Sequence, residues 1–209
     1  MTSRYQDVKI INSKKRLVIL SLAAAAALGG TAMAAGASPE LPLRGSGTFC
    51  LAPDAARTLT TQNMSLEAIA PATAADNCVT LPGTGTLSAD LLGGDIPLEG
   101  GMRFTGAGHQ LDVSNVHIHV GKRSTSADIV QTASAAKNVD FLHYTLSPST
   151  VSVTPRTVNA ASIPLNLTTP GAVAFTDALG SSPVKAGEPL FTFDGRAEFT
   201  TPFNDVTMP

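Results

Sequence analysis

The sequence predicts a mainly β fold, a sandwich or barrel-like antiparallel domain with two short helices. Three observations carry this. Short runs alternating apolar and polar residues recur at roughly 8–12-residue intervals, each set off by Pro, Gly or Asn. Helical periodicity takes over in two brief stretches only, after Pro53 and after Pro170. The clearest alternation lies in Gly94 to Val130, GDIPLEGGMRFTGAGHQLDVSNVHIHVGKRSTSADIV, which also holds a hairpin and three of the four histidines.

The first residues read as an export signal. Lys14, Lys15 and Arg16 precede the apolar run Leu17 to Leu28, and small residues lead to Ala32-Met33-Ala34. A basic start, a short apolar core and an A-x-A step describe a secretory signal peptide, and the run is too short for a span of roughly 20 residues. Cleavage after Ala34, with Ala35-Gly36-Ala37 as a second option, leaves a leader at 35–44, the β domain at 45–200 and a tail at 201–209. No stable transmembrane anchor is expected.

The whole chain carries 14 basic and 16 acidic residues, and five basic and one acidic leave with the signal, so the remainder has a formal charge of −6. That balance excludes nucleic acid as a partner, since phosphate binding requires a basic surface. Cys50 and Cys78 are an even pair in an exported chain and read as one disulfide, with two free thiols as the alternative. Closing that loop stabilises by roughly 3–4 kcal/mol in the chain-entropy picture.

In order, Thr48 to Leu51 reads as a first strand. Pro53 opens the helix PDAARTLTTQ, with Asp54 at its positive end and Asn63 as a left-handed stop. Met64 to Ala70 is a strand, and Cys78 to Leu81 is another, returning beside Cys50 and broken by Pro82, Gly83 and Gly85. Met102 to Thr105 and His109 to Val113 form a hairpin through Gly106-Ala107-Gly108. From Val116 to Val120 the alternation places Val116, Ile118 and Val120 on one face and His117 and His119 on the other. Ser126 to Val130 is a strand, and Asn138 to Leu146 follows, with Val139, Phe141 and His143 opposite Asp140, Leu142 and Tyr144. Further β runs lie at Val151 to Val153 and Ile163 to Leu167. Pro170 to Leu179 is the second helix, with Thr169 as N-cap and Gly180 as stop. Leu190 to Phe199 closes the fold.

No catalytic motif is present: no G-x-S-x-G, phosphate loop, dinucleotide fingerprint, H-E-x-x-H or calcium loop. No enzyme activity and no cofactor are expected. The candidate ligand or metal-binding residues are His109, His117, His119, His143 and Tyr144. Two histidines two apart on a strand point into the same space, as strand-borne zinc sites begin. A solvated polar face is the other reading of the same pattern.

Three motifs carry a family resemblance: Gly100-Gly101-Met102-Arg103-Phe104, Leu167-Thr168-Thr169-Pro170-Gly171-Ala172, and Ala186-Gly187-Glu188-Pro189-Leu190. Together they resemble the HtaA-type, haem-transport-associated domain of secreted and cell-surface bacterial proteins, over about Gly45 to Phe199. The resemblance implies a β-rich domain with small helices, and partners among cell-envelope components or a haem-uptake system. It also implies haem held by tyrosine with histidine support, and at those positions the chain departs from the pattern. Glu99 stands where a histidine commonly precedes the Gly-Gly step. Val184 stands for a tyrosine, and Thr48-Phe49-Cys50 for an aromatic opening. The expected function is a secreted or cell-surface non-catalytic binding or structural module; haem or metal at a His/Tyr-bearing face is the alternative.

Overall fold

In a computed structural model the described residues are 38–131 and 134–200, so the segment read as an export signal and the tail from residue 201 lie outside them.

The described residues form twelve strands and two helices: β1 (Glu40–Leu51), α1 (Pro53–Thr61), β2 (Ser65–Ile69), β3 (Thr73–Ala75), β4 (Cys78–Ser88), β5 (Gly94–Pro97), β6 (Gly101–Gly106), β7 (His109–His119), β8 (Ser124–Gln131), β9 (Ala135–Tyr144), β10 (Val151–Val153), β11 (Thr157–Leu167), α2 (Thr169–Leu179) and β12 (Pro189–Phe199). Eight of them, in the order β7-β5-β4-β1-β12-β11-β9-β8, close into an antiparallel barrel because β8 also pairs with β7. The sheet runs on from β7 to β6 and β2, while β3 and β10 add to β4 and β11. Closure removes the open edges that a flat sheet would expose.

The hairpin forms where expected. Ala107 and Gly108 both have positive φ (49° and 80°), as a two-residue turn matched to strand twist requires. Arg103 and Asp112 face each other across it and join through two bonds of 2.7 Å. The Gly-Gly step has a steric cause. Gly100 sits at φ 83°, and a Cβ on Gly101 would lie 2.3 Å from the Val113 carbonyl oxygen.

Two strands run further than their punctuation suggests. β1 starts at Glu40, inside the segment read as a leader, and β4 continues through Pro82, Gly83 and Gly85 to Ser88. These residues do not break the strand, because Gly83 and Gly85 pack directly against the backbone of 95–98, where any side chain would collide. Asn63 takes the left-handed position after α1 (φ 52°), as expected.

The cap of α2 is Thr168, not Thr169. Its hydroxyl oxygen accepts from the Gly171 amide at 3.1 Å, and Gly180 ends the helix in the left-handed region. Cys50 and Cys78 are direct partners in the β1–β4 register and form the disulfide.

Two phase shifts decide which side chains face inward. On β7, Ser114 pairs with Asp128 and His117 with Ser126, so β7 carries one extra residue there, at Asn115 (φ 49°). Leu111 and Val113 are buried before it, and Val116 after it. On β9, Leu142 pairs with Thr125 and Asp140 with Ser126, leaving Phe141 unpaired. Phe141 and Leu142 are therefore both buried, which corrects the simple alternation expected there: Phe141 turns to Phe175 of α2, and His143 stays exposed.

Candidate functional site

The interior holds two separate clusters of buried side chains. The larger includes Phe49, Phe104, Phe141, Phe175 and Phe191, with ring contacts linking them. The smaller comprises Leu41, Leu43, Leu87 and Phe199. Between them lies a cavity of about 350 Å³, walled by Leu43 and Leu87 on one side and by Phe49, Leu98, Ile163 and Leu165 on the other. That size is at the low end of small-molecule sites, roughly 300–1,000 Å³, and an eight-stranded barrel is about wide enough to hold one small ligand.

Four glycines line the wall. Gly47 pairs with Gly195 and Gly45 with Gly83 across β12, β1 and β4, and all four line the cavity. None has room for a side chain: a Cβ would meet backbone of the next strand at Gly45 and Gly83 and the Phe193 ring at Gly47 and Gly195.

The wall is also open on one side. β9 meets β11 over three residue pairs only, Leu142 to Tyr144 against Leu167 to Leu165. Nearer its start, β11 pairs instead with the short β10. Leu146, Ser147, Pro148 and Val151 line the cavity at this break in the wall.

One end of the cavity is polar. Thr125 is 1% exposed, lines the cavity, and its hydroxyl has no hydrogen-bond partner. An unmade bond on such a group costs roughly 1–3 kcal/mol. Beside it, Tyr144 donates a long bond (3.4 Å) to the His119 carbonyl oxygen, and its amide donates to the Arg123 carbonyl oxygen at 2.9 Å. Burial pushes the Tyr144 phenol up to about 12, and the positive charge of Arg123 pulls against that. Arg123 itself lines the cavity from the turn between β7 and β8.

The histidines fall elsewhere. His117 and His119 sit on the outer face of β7, while Ile118 and Val120 between and after them line the lumen. Their rings are parallel within 24° and 6.0 Å apart, with Asp95 between them. Its carboxylate accepts from His119 Nδ1 at 2.7 Å and from His117 Nδ1 at 3.2 Å. His119 Nε2 is 2.9 Å from the Ser126 hydroxyl. These nitrogens are thus taken up by an acid and a hydroxyl, and the described residues contain no group of three or more His, Cys, Asp or Glu placed to hold a metal.

His109 is exposed at the hairpin, and His143 is exposed two strands from His119, across Ser124. Of the five candidates, the structure brings together His117 and His119, leaves His109 and His143 apart on the surface, and places Tyr144 on the opposite side of the wall. Asp95, Thr125, Arg123 and the wall glycines were missed by sequence reasoning. The one available signal was the repeated G-x-G at Gly45-Gly47 and Gly83-Gly85.

The fold and its lumen define a class: closed antiparallel β-barrels with an interior the size of a small molecule. Among solved structures, the C-terminal domain of HtaA from Corynebacterium glutamicum aligns with a TM-score of 0.58 at 17% identity, over 76% of this chain and 98% of that one. The N-terminal domain of the same protein aligns at 0.59 and 14%, over 79% and 100%. A domain-swapped dimer of a C-terminal domain variant aligns at 0.51 and 18%, over 69% and 89%. The fold is therefore HtaA-like, as the three motifs implied. No family model and no curated protein matches the chain.

Proposed function

We propose that this chain is an exported, non-catalytic binding module that holds a small, largely apolar molecule inside the barrel. The observation that carries this reading is the cavity itself, left open between two packed clusters and reached through a break in the wall. Export is supported by the signal-like residues 1–34 and by the disulfide, a bond that persists in oxidising compartments. Among the described residues no helix is long and apolar enough to cross a membrane.

The test is displacement of an environment-sensitive dye from the chain and from Ala160→Leu, which projects a larger side chain into the lumen. Loss of dye binding in a variant that still melts cooperatively supports the reading. Unchanged binding in that variant overturns it.

Haem is a second reading, from the resemblance, and Tyr144 at the lumen wall favours it. The residues present fit the group poorly. His117 and His119 face outward onto Asp95, Glu99 is exposed, and Val184 is buried in the core. A haem-uptake partner follows from this reading alone. A Soret shift on adding ferric haem that disappears in Tyr144→Phe would establish it; no shift ends it.

A further inference from the structure

Resting on the lumen reading above, we propose that the ligand is an unbranched fatty carboxylic acid, its carboxylate held by Arg123 with the hydroxyls of Thr125 and Tyr144, and its chain laid along the glycine wall. Arg123, Thr125 and Tyr144 all line the cavity, and the Tyr144 hydroxyl, held by a single long bond of 3.4 Å to the His119 carbonyl oxygen, lies within the field of the Arg123 charge. Arg123 and Thr125 are two residues apart at the start of β8, and the Tyr144 amide is tied to the Arg123 carbonyl at 2.9 Å. Thr125 carries a buried hydroxyl with no partner inside the protein, on a residue that lines the cavity. No aspartate or glutamate lines the cavity. A set of donors including a guanidinium, with no acid to neutralise it, complements an anion.

The rest of the lining is mainly apolar. It includes Leu43, Leu87, Leu91, Ile96, Val120 and Val158, with Ser46, Ser147 and Arg196 as its other polar residues. An apolar wall with a guanidinium and no acid suits a molecule with a charged head and an apolar remainder. Access is through the break beside Leu146 and Val151, whose side chains are apolar.

The experiment measures competition by dodecanoic acid, methyl dodecanoate and 1-dodecanol against a bound dye, using the exported chain. The acid is expected to bind at least about tenfold more tightly than the ester. Arg123→Gln closes that gap, and Thr125→Val narrows it several-fold. Equal affinity of acid and ester, with Ala160→Leu still blocking both, overturns the head-group assignment while the lumen reading stands. Displacement that Ala160→Leu does not affect removes both. Wild-type acid preference in Arg123→Gln also overturns the assignment, because that residue is exposed in a turn and its replacement leaves the fold intact.

Discussion

The two ends of the barrel interior are built from opposite materials. One region is packed with buried phenylalanines beneath α2, with Phe175 set edge-on to Phe104 at 4.7 Å. The other is walled by Gly45, Gly47, Gly83 and Gly195 and retains a cavity. Both lie within the same hydrogen-bonded sheet, so backbone pairing does not distinguish them. Side-chain volume does. One end supplies the packing that holds the barrel together, which frees the other from having to be filled.

The sharpest way to break this comparison is to remove a ring from the packed end. Phe175→Ala is expected to cost about 3–5 kcal/mol, whereas Leu43→Ala beside the open lumen costs nearer about 2 kcal/mol, read as urea midpoints at constant slope. Similar losses at both sites would show that the two ends are equally packed.

Alkaline pH probes the hollow end next. The Tyr144 phenol is raised to about 12 in the folded chain from an ordinary value of 10.0. Its contribution is therefore fully present below pH 10 and is lost as pH rises to about 12, a total of roughly 2–3 kcal/mol. Comparing unfolding midpoints at pH 9 and 11.5 in the wild type and in Tyr144→Phe isolates that loss, which the variant should lack.

The glycine wall can be tested position by position. A Cβ on Gly45 would lie 2.1 Å from the Arg196 carbonyl oxygen, which cannot retreat without moving β12. On Gly47 it meets the Phe193 ring edge at 2.6 Å, and that ring can swing toward the cavity. Gly45→Ala should therefore cost about 2–3 kcal/mol and Gly47→Ala under about 1 kcal/mol by thermal melts. The smallest effect has the opposite sign. Thr125→Val removes the unpartnered hydroxyl while keeping the branched shape, and should raise stability by about 1 kcal/mol, seen as a higher melting temperature.

Much of the fold was legible in the sequence because its signals are local. The Gly106-Ala107-Gly108 turn, the Pro53 and Pro170 helix starts and the Cys50–Cys78 pair each depend on residues near in sequence or on simple counting. The resemblance motifs were legible for the same reason. Gly101 lies against Val113, Thr168 caps α2, and the Gly187 amide donates to the Leu167 carbonyl oxygen, so all three motifs hold backbone in place. The candidate site was much less legible. Choosing barrel over sandwich depends on β7 meeting β8, a pairing no short window reveals. The polar end of the lumen joins Arg123 and Thr125, at the start of β8, to Tyr144 at the end of β9. Gly83 and Gly85 looked like interruptions because their role depends on what stands opposite them.

The extra residue at Asn115 has a consequence for what the lumen could become. Beyond it, even-numbered residues of β7 face inward and the two imidazoles face out. Removing that single residue while keeping the pairing upstream would exchange the two sets, turning Ile118 and Val120 to the surface and lining the interior with His117 and His119. An apolar interior and one lined by imidazoles are thus separated by a single residue on an otherwise unchanged sheet.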